Sequence, residues 1–600
     1  MSKAPKPMNP AQIQSLKQIH TLFQRGQIAQ ARTRAEKELT KHPKVGAFHA
    51  MLAMILTGQG ERARAEFHAD KAVALDPKNA DILTTRASIH ASADEHEQAR
   101  TLYEKALSLQ PGHPGALSGL GNALSELGLY TKAREIMTRV WENNPRFPDP
   151  LVNLALLELD TTRAKQAIEL LRDPPPPLDQ HPNVLNLYAL AHSYDDNVTP
   201  EQTFEAHERF GRAIATHVPS KSDHTNDPDP DRKLRVGLLT PDLRRHSIAY
   251  FLEPILEHHD RASIELHGFM TSNAVDEVTE RFKQHCDHWH DLFGSTLFEM
   301  RDRIIEQNID VLIELNGHFS GHKLSVFAMR PAPVQITHIG YANTTGMRTI
   351  DARFVDDITD PAPRADALAS ERLVRLDPCF LCYRPNEDAP NPSDPDPDRP
   401  VTIGSFNNLM KLSEKSIACW ARILNDRPNT RLLLKASKLA NDELRNELID
   451  RFSALGIDPD RLDLRARATS LIDHLSMYNE IDLALDTFPY TGTTTTCEAL
   501  WMGVPVLTLL GDSHAGRVSA SLLSAAGLEG LTATTTDEYH DIALAHIDQG
   551  LRSGQARSDL RARVAQSPLL DAPAYTPKWE SAVRDQWRAW CASKRSRANA

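Results

Sequence analysis

Cysteine is scarce in this chain: Cys286, Cys379, Cys382, Cys419, Cys497 and Cys591 are the six among 600 residues. That density excludes a disulfide scaffold and suits a reducing compartment. Long apolar runs are missing as well. No stretch of ~18 apolar residues offers a transmembrane helix, and the opening MSKAPKPMNPAQIQ lacks the apolar centre of a secretory signal. A basic excess is also absent, because 68 Lys and Arg stand against 80 Asp and Glu, a net charge of −12. An acidic chain with no long basic run is a poor general nucleic-acid binder, although a local basic pocket stays possible. The expectation is a cytoplasmic protein with neither nucleic acid nor membrane as a partner. Apolar and charged fractions of 40% and 25% are those of an ordinary globular protein. The length of 600 residues corresponds to about four domain units of ~150 residues, more than a single core sustains.

What is present begins with a repeat. Prolines fall at Pro43, Pro77, Pro111 and Pro145, each 34 residues after the last. Ala31, Ala65, Ala99, Ala133 and Ala167 keep the same step, as do Ala53, Ala87, Gly121, Ala155 and Ala189. Small residues let paired helices approach, and a proline after the second helix of each pair gives up no needed N–H. Segments such as ARTLYEKALSLQP (99–111) space their apolar residues for a helix. A helix–turn–helix unit of this length resembles the tetratricopeptide repeat. The array is expected over 12–215, with the run DPPPPLD (173–179) disturbing its last full repeat. Stacked pairs form a superhelix that binds extended peptide on its concave face, a structural spacer being the other reading.

The polar, proline-rich stretch that follows reads as a linker or hinge over 216–233. Short apolar runs then alternate with amphipathic helices. LRVGLLT (234–240), IELHGFM (264–270), IDVLIELNG (309–317) and PVQITHIGY (333–341) read as buried strands of a first half, 234–385. After a second linker, 386–400, VTIGSFN (401–407), RLLLKA (431–436), RLDLRA (461–466), IDLALDTF (481–488) and VPVLTLLG (504–511) repeat the pattern in a second half, 401–560. A C-terminal helical segment, 561–600, carries Trp579, Trp587 and Trp590 near helical spacing and is expected to cover a core. Strands separated by helices predict two α/β halves with parallel sheets, and ligands of such sheets lie beyond the carboxyl ends of the strands. Residues 492–496 (GTTTT) lead into a predicted helix, where free N–H groups and threonine hydroxyls suit a phosphate. An ordinary N-cap is the alternative.

Taken together, PDLRRHS (241–247), RPAPVQITHIGYANTTG (330–346), CFLCYRP (379–385), GSFNNLMK (404–411) and LDTFPYTGTTTTCEALWMGVPV (485–506) resemble the protein O-GlcNAc transferase family, nearest its SPINDLY-like branch. The resemblance implies an all-α tetratricopeptide superhelix followed by a GT-B fold of two Rossmann-like halves. It implies inverting transfer of a sugar from a nucleotide sugar to Ser or Thr of a protein or peptide acceptor, with no cofactor or metal required. Residue by residue, Lys411 falls on the lysine facing the donor diphosphate, and Asn408 on a nearby phosphate contact. Thr493, Thr494 and Thr495 fall on the helix start that holds the phosphates, Glu498 on the acceptor of ribose hydroxyls, and His474 on the histidine against the base. His246 matches a first-half histidine near phosphate and acceptor, with a positioning or electrostatic role, and Thr344 and Thr345 lie in a loop that approaches the sugar.

This chain has TTTTCE where the animal enzymes carry a histidine, and it lacks their basic residues near His474. UDP-GlcNAc is the first expectation for the donor, and GDP-fucose, used by SPINDLY-type fucosyltransferases, the alternative. A repeat scaffold with a degenerate nucleotide-binding domain is the reading from another class, and Lys411, Glu498 and the threonine loop together weigh against it. No metal site is expected. Cys379 and Cys382 form a CxxC without a second pair, and the run HCDHWH (285–290) alternates sides if extended, so that its residues do not converge. His258 and His259 read as a helix end. Asp302 is either near the acceptor or on a solvated face, and Arg517 either a phosphate contact or a core cap.

Overall fold

A computed structural model describes residues 8–24, 26–221, 223–396, 398–549 and 553–598. The chain forms two compact units, Met1–Leu157 with Phe293–Thr296, and Glu158–Leu292 with Leu297–Ala600. In the first, helices run Ile28–Lys41, Gly46–Gly58, Arg62–Leu75, Ala80–Ala91, His96–Leu109, Pro114–Glu126 and Tyr130–Asn143. Pro43, Pro77, Pro111 and Pro145 each fall two residues after a helix of this series. The phased alanines Ala31, Ala53, Ala65, Ala87, Ala99 and Ala133 are fully buried between the helices, as a close-packed helix array requires.

The second unit opens with three more helices, Ala164–Arg172, Pro182–His192 and Pro200–His217. Their phase continues the 34-residue series, but their core does not. Phe210, Ala213 and Ile214 pack with Leu239, Phe269 and Leu312 of the following sheet. Gly211 is needed here, because a Cβ at this position would lie 1.7 Å from the carbonyl oxygen of Gly346. These helices are therefore a wall of the α/β unit.

Two parallel sheets make up the rest. Strands β1 (Leu234–Thr240), β2 (Ile264–Met270), β3 (His288–Asp291), β4 (Val311–Glu314), β5 (Val334–Thr337), β6 (Ala352–Val355) and β7 (Arg372–Arg375) form the first, ordered β3-β2-β1-β4-β5-β6-β7. Strands β8 (Thr402–Ser405), β9 (Arg431–Lys435), β10 (Leu462–Arg465), β11 (Leu483–Leu485), β12 (Val506–Leu509) and β13 (Thr532–Ala533) form the second, ordered β10-β9-β8-β11-β12-β13. The strand order reverses between β1 and β4 and again between β8 and β11, and crevices for ligands open at such points. The expected two-half α/β architecture is what the chain adopts. β3, β6, β7 and β13 were not legible as strands, because each has two to four residues and β3 is a polar edge strand, HWHD.

Neither linker is a free hinge. Both end in the same words, DPDPDR at 227–232 and at 394–399. The Arg232 fork donates to both oxygens of buried Asp310 at 2.6 and 2.8 Å, and Arg235 N donates to the same carboxylate at 2.9 Å. Arg399 and Thr402 N treat Asp482 alike, at 2.6, 2.8 and 2.9 Å. Each aspartate immediately precedes the strand across the switch point, β4 or β11, so a bidentate pair staples each linker to its sheet.

The long helix Ala572–Ala598 returns to the first half. Tyr575, Trp579, Val583 and Trp587 join one core with Leu234, Val236 and Leu238 of β1. Trp587 Nε1 donates to Asp229 O at 2.9 Å, and the Arg232 guanidinium lies 4.7 Å from its ring centroid. Trp587→Ala is expected to destabilise this unit by about 3–5 kcal/mol, measured as a lower urea midpoint for its unfolding transition. An unchanged midpoint would show that the helix is dispensable to the core.

Candidate active site

A cavity of about 600 Å³ lies between the carboxyl ends of the two sheets. The loop after β1 supplies Asp242, Arg244 and His246, and the loop after β4 supplies Asn316 and Phe319. From the second half come Asn407, Asn408 and Lys411 after β8, and Tyr490 and Thr493–Thr495 after β11. The four loops at the two switch points thus converge on one space.

The second-half wall is organised by Asp486, which is buried at the end of β11. Its Oδ1 accepts from Gly492 N at 2.7 Å, Asn407 Nδ2 at 3.0 Å and Thr487 N at 3.0 Å, and its Oδ2 accepts from Thr508 Oγ1 at 2.8 Å. Burial pushes this carboxyl above its ordinary range, and the donors together with Lys411 act against that. Asn407 Oδ1 in turn accepts from Thr495 Oγ1 at 2.6 Å. The loop after β8 and the threonine loop are therefore one hydrogen-bonded piece. Glycine is required at 492, because a Cβ there would lie 2.5 Å from Thr496 Oγ1 and 2.8 Å from Thr495 Oγ1.

The helix Thr494–Trp501 starts at this loop, with no side-chain cap on its first turn. Its free N–H groups and the half-buried Thr493, Thr494 and Thr495 face the cavity, an arrangement suited to an anion. Lys411 stands beside it. Its Nζ donates to Thr491 O at 2.7 Å and lies 4.2 Å from the Tyr490 ring centroid. Desolvation pulls Lys411 down to about 8, with Asp486 opposing. On the facing wall, burial lowers the His246 imidazole below its ordinary range, while Asp242, 3.9 Å from its Nδ1, pulls the other way. Asp242 is itself held by Asn316 Nδ2 at 2.8 Å.

His474 and Glu498 lie next to the cavity. His474 Nε2 meets Glu498 Oε2 at 2.9 Å, its Nδ1 meets Lys435 Nζ at 2.9 Å, and the Tyr478 hydroxyl donates to Glu498 at 3.4 Å. With an ammonium on one side and a carboxylate on the other, the neutral ring accepts at Nδ1 and donates at Nε2. Glu498 sits one turn along from Thr494 on the same helix, so this chain adjoins the anion position.

Thr344 and Thr345 are placed elsewhere. Both are fully buried. Thr344 Oγ1 donates to Glu371 at 2.6 Å, Thr345 N donates to it at 2.7 Å, and the Thr345 hydroxyl donates to it as well. Their loop is docked on helix Pro200–His217, with Tyr341 OH and His207 Nε2 at 2.8 Å. It presents Gly340 and Ala342 to the cavity instead. Asp302 is exposed and bonded to Arg301. Arg517 spends its guanidinium on the carbonyls of Ile358 and Gly511, at 2.5 and 2.9 Å, as a core cap does. Burial raises the thiols of Cys379 and Cys382, the latter to about 12.

Asn407, Asp486, Tyr490 and Lys435 escaped the sequence reading. The first three lie inside the loops it singled out, but nothing in a linear motif says which of two adjacent asparagines turns inward. Asp486 and Lys435 end apolar runs and read as the last residues of strands. Among the described residues, the HCDHWH run contributes His288 alone to a group of possible metal ligands, beside Glu265 and His267 of β2. His288 and His290 are two residues apart on β3 and share a face, and His267 is paired directly with His288 across the strands.

Comparison with known proteins agrees with this architecture. A model of Glycosyl transferase family 41 matches residues 169–383 and 395–579, and tetratricopeptide-repeat models match 16–80, 51–114 and 90–146. The family match begins within the helices that wall the α/β unit. The chain is 39% identical over 409 residues to a probable UDP-N-acetylglucosamine–peptide N-acetylglucosaminyltransferase SPINDLY of Solanum lycopersicum, covering 67% of this chain and 44% of that protein. The probable SEC transferase of Arabidopsis thaliana is 27% identical over 435 residues, covering 69% and 44%. Among solved structures, a mutant of the Thermobaculum terrenum O-GlcNAc transferase superposes with a TM-score of 0.74 at 30% identity, covering 94% of this chain and 99% of that one. The chain thus spans less than half the length of the plant relatives and nearly all of the bacterial structure.

Proposed function

The chain belongs to glycosyl transferase family 41, and from that premise we propose that it moves a sugar from a nucleoside diphosphate to Ser or Thr hydroxyls of protein acceptors, with UDP-GlcNAc as donor. The observation that carries this reading is the convergence of an uncapped helix start, three threonines and Lys411 on one wall of the cavity between the sheets. The diphosphate sits on the N–H groups and hydroxyls of Thr493–Thr495, with Asn408 at its edge. Glu498 takes the ribose hydroxyls and His474 lies against the base, its tautomer set by Lys435.

Transfer is an inverting displacement. The acceptor oxygen bonds to the anomeric carbon as the bond from that carbon to the diphosphate oxygen breaks, and the electron pair leaves with the diphosphate. Lys411 and the helix start stabilise that charge, the role of a metal ion in other transferases. A diphosphate beside Lys411 favours its charged form, so burial does not cost it the proton at neutral pH. His246, backed by Asp242, orients the acceptor side and receives or relays the hydroxyl proton. The repeat helices bind the acceptor polypeptide, and positioning supplies much of the rate. Six buried cysteines without a disulfide suit a reducing compartment and support the reading of a cytoplasmic activity.

Incubating the protein with a peptide library and, in separate arms, UDP-GlcNAc, GDP-fucose or UDP-glucose tests the reading by mass spectrometry. A hexosamine adduct in the first arm is expected. A deoxyhexose adduct would assign the alternative donor, and no adduct in any arm would leave a nucleotide-binding scaffold. Lys411→Ala is expected to lower kcat by roughly 10²–10³-fold, with UDP affinity changed less than tenfold. Retained turnover in that variant would remove the leaving-group role.

A further inference from the structure

We propose that the open edge of the first sheet carries a divalent-metal site of zinc type, built from Glu265 and His267 of β2 and His288 of β3, with His290 behind it. None of the four lines the cavity between the sheets, and the proposed reaction uses none of them.

Parallel register brings the group together. His267 pairs with His288 and Phe269 with His290, so alternate residues of both strands share one face. On that face, Glu265 Oε1 lies 2.9 Å from His288 Nε2 and 3.3 Å from His267 Nε2. One ligand atom from each of the three residues falls within 4.8 Å of the other two. Around a tetrahedral zinc with bonds of ~2.0–2.2 Å, neighbouring ligand atoms stand roughly 3.3–3.5 Å apart. The cluster is already near that spacing, and the two residues that must adjust are the free ones. His288 is about half exposed and Glu265 a quarter exposed, whereas His267 is locked at 3%.

Two imidazoles and one carboxylate form a donor set that zinc accepts with water in the fourth position, and the exposed side of His288 leaves room for that water. Softer ions prefer thiolate and harder ones prefer an all-oxygen shell. Metal ligands of this kind are held by an outer partner on the other ring nitrogen, and here His267 Nδ1 meets His290 Nε2 at 3.3 Å. His290 is fixed in turn by stacking on Phe269, with ring centroids 4.6 Å apart.

The edge also has a need for such a tie. β3 is a polar four-residue strand whose terminal residues are exposed. A metal bridging Glu265, His267 and His288 would fasten this edge strand to β2, which limits fraying and pairing with another chain.

The test uses the full chain, stripped with chelator and titrated with zinc chloride in a calorimeter. One equivalent is expected to bind, with a rise in melting temperature on saturation. His288→Ala at an exposed position and the near-isosteric Glu265→Gln are each expected to weaken binding at least tenfold and to abolish that rise, and His290→Ala to weaken it ~10–100-fold. Cobalt substituted for zinc is expected to show ligand-field bands without a thiolate charge-transfer band. Absence of saturable zinc binding would overturn the proposal. So would binding that survives both His288→Ala and Glu265→Gln, or a thiolate band that places the metal on cysteine. Glycosyl transfer is measured separately in metal-free protein, so failure of the zinc site leaves the catalytic reading untouched.

Discussion

Asp486 lies buried at the end of β11 with four donors turned toward it: two backbone N–H groups, the Asn407 amide and the Thr508 hydroxyl. Two of these donors belong to loops that form the cavity wall, and a third belongs to the next strand. Gly492 begins the threonine loop, Asn407 anchors the loop that carries Lys411, and Thr508 ties in the neighbouring strand. Removing the carboxylate would leave several buried donors without an acceptor, at about 1–3 kcal/mol for each. That acceptor and the Asn407–Thr495 hydrogen bond tie the two loops to each other. The position of Lys411 against the helix start, and with it the proposed chemistry, follows from this network.

The first half repeats the device. Glu314 ends β4, the strand across its switch point, and accepts from Asn316 N and Gly317 N at 2.6 Å each and from Thr337 Oγ1 at 2.8 Å. Burial raises it as it raises Asp486. At the opposite ends of the same two strands, Asp310 and Asp482 receive the arginine forks of the two DPDPDR segments. Each sheet is thus pinned at both ends of its switch-point strand. One pin fixes where the chain enters the half, and the other fixes the loop that faces the ligand.

Much of this was legible from residues alone. The 34-residue phase of prolines and alanines survives translation into structure because each repeat must place a small residue at the same helix contact. The long apolar strands were equally plain. What stayed hidden depends on a third dimension. The helices of 164–217 keep the repeat phase, but Phe210 and Ile214 are spent on the sheet, and periodicity cannot report which core a residue joins. Thr344 and Thr345 sit in a loop with the right motif but turn toward Glu371, because Tyr341 and Gly346 seat that loop on a helix. His288 and His290 gain their neighbours from β2, through a register that no single segment contains.

The proposed chemistry depends on where a nucleoside diphosphate binds. A crystal structure of the protein soaked with UDP measures this directly. The diphosphate is expected at the N–H groups of Thr493–Thr495, with Lys411 Nζ within hydrogen-bond distance of a phosphate oxygen and Glu498 against the ribose. A diphosphate bound away from the helix that starts at Thr494, with Lys411 still held only by Thr491, would contradict it.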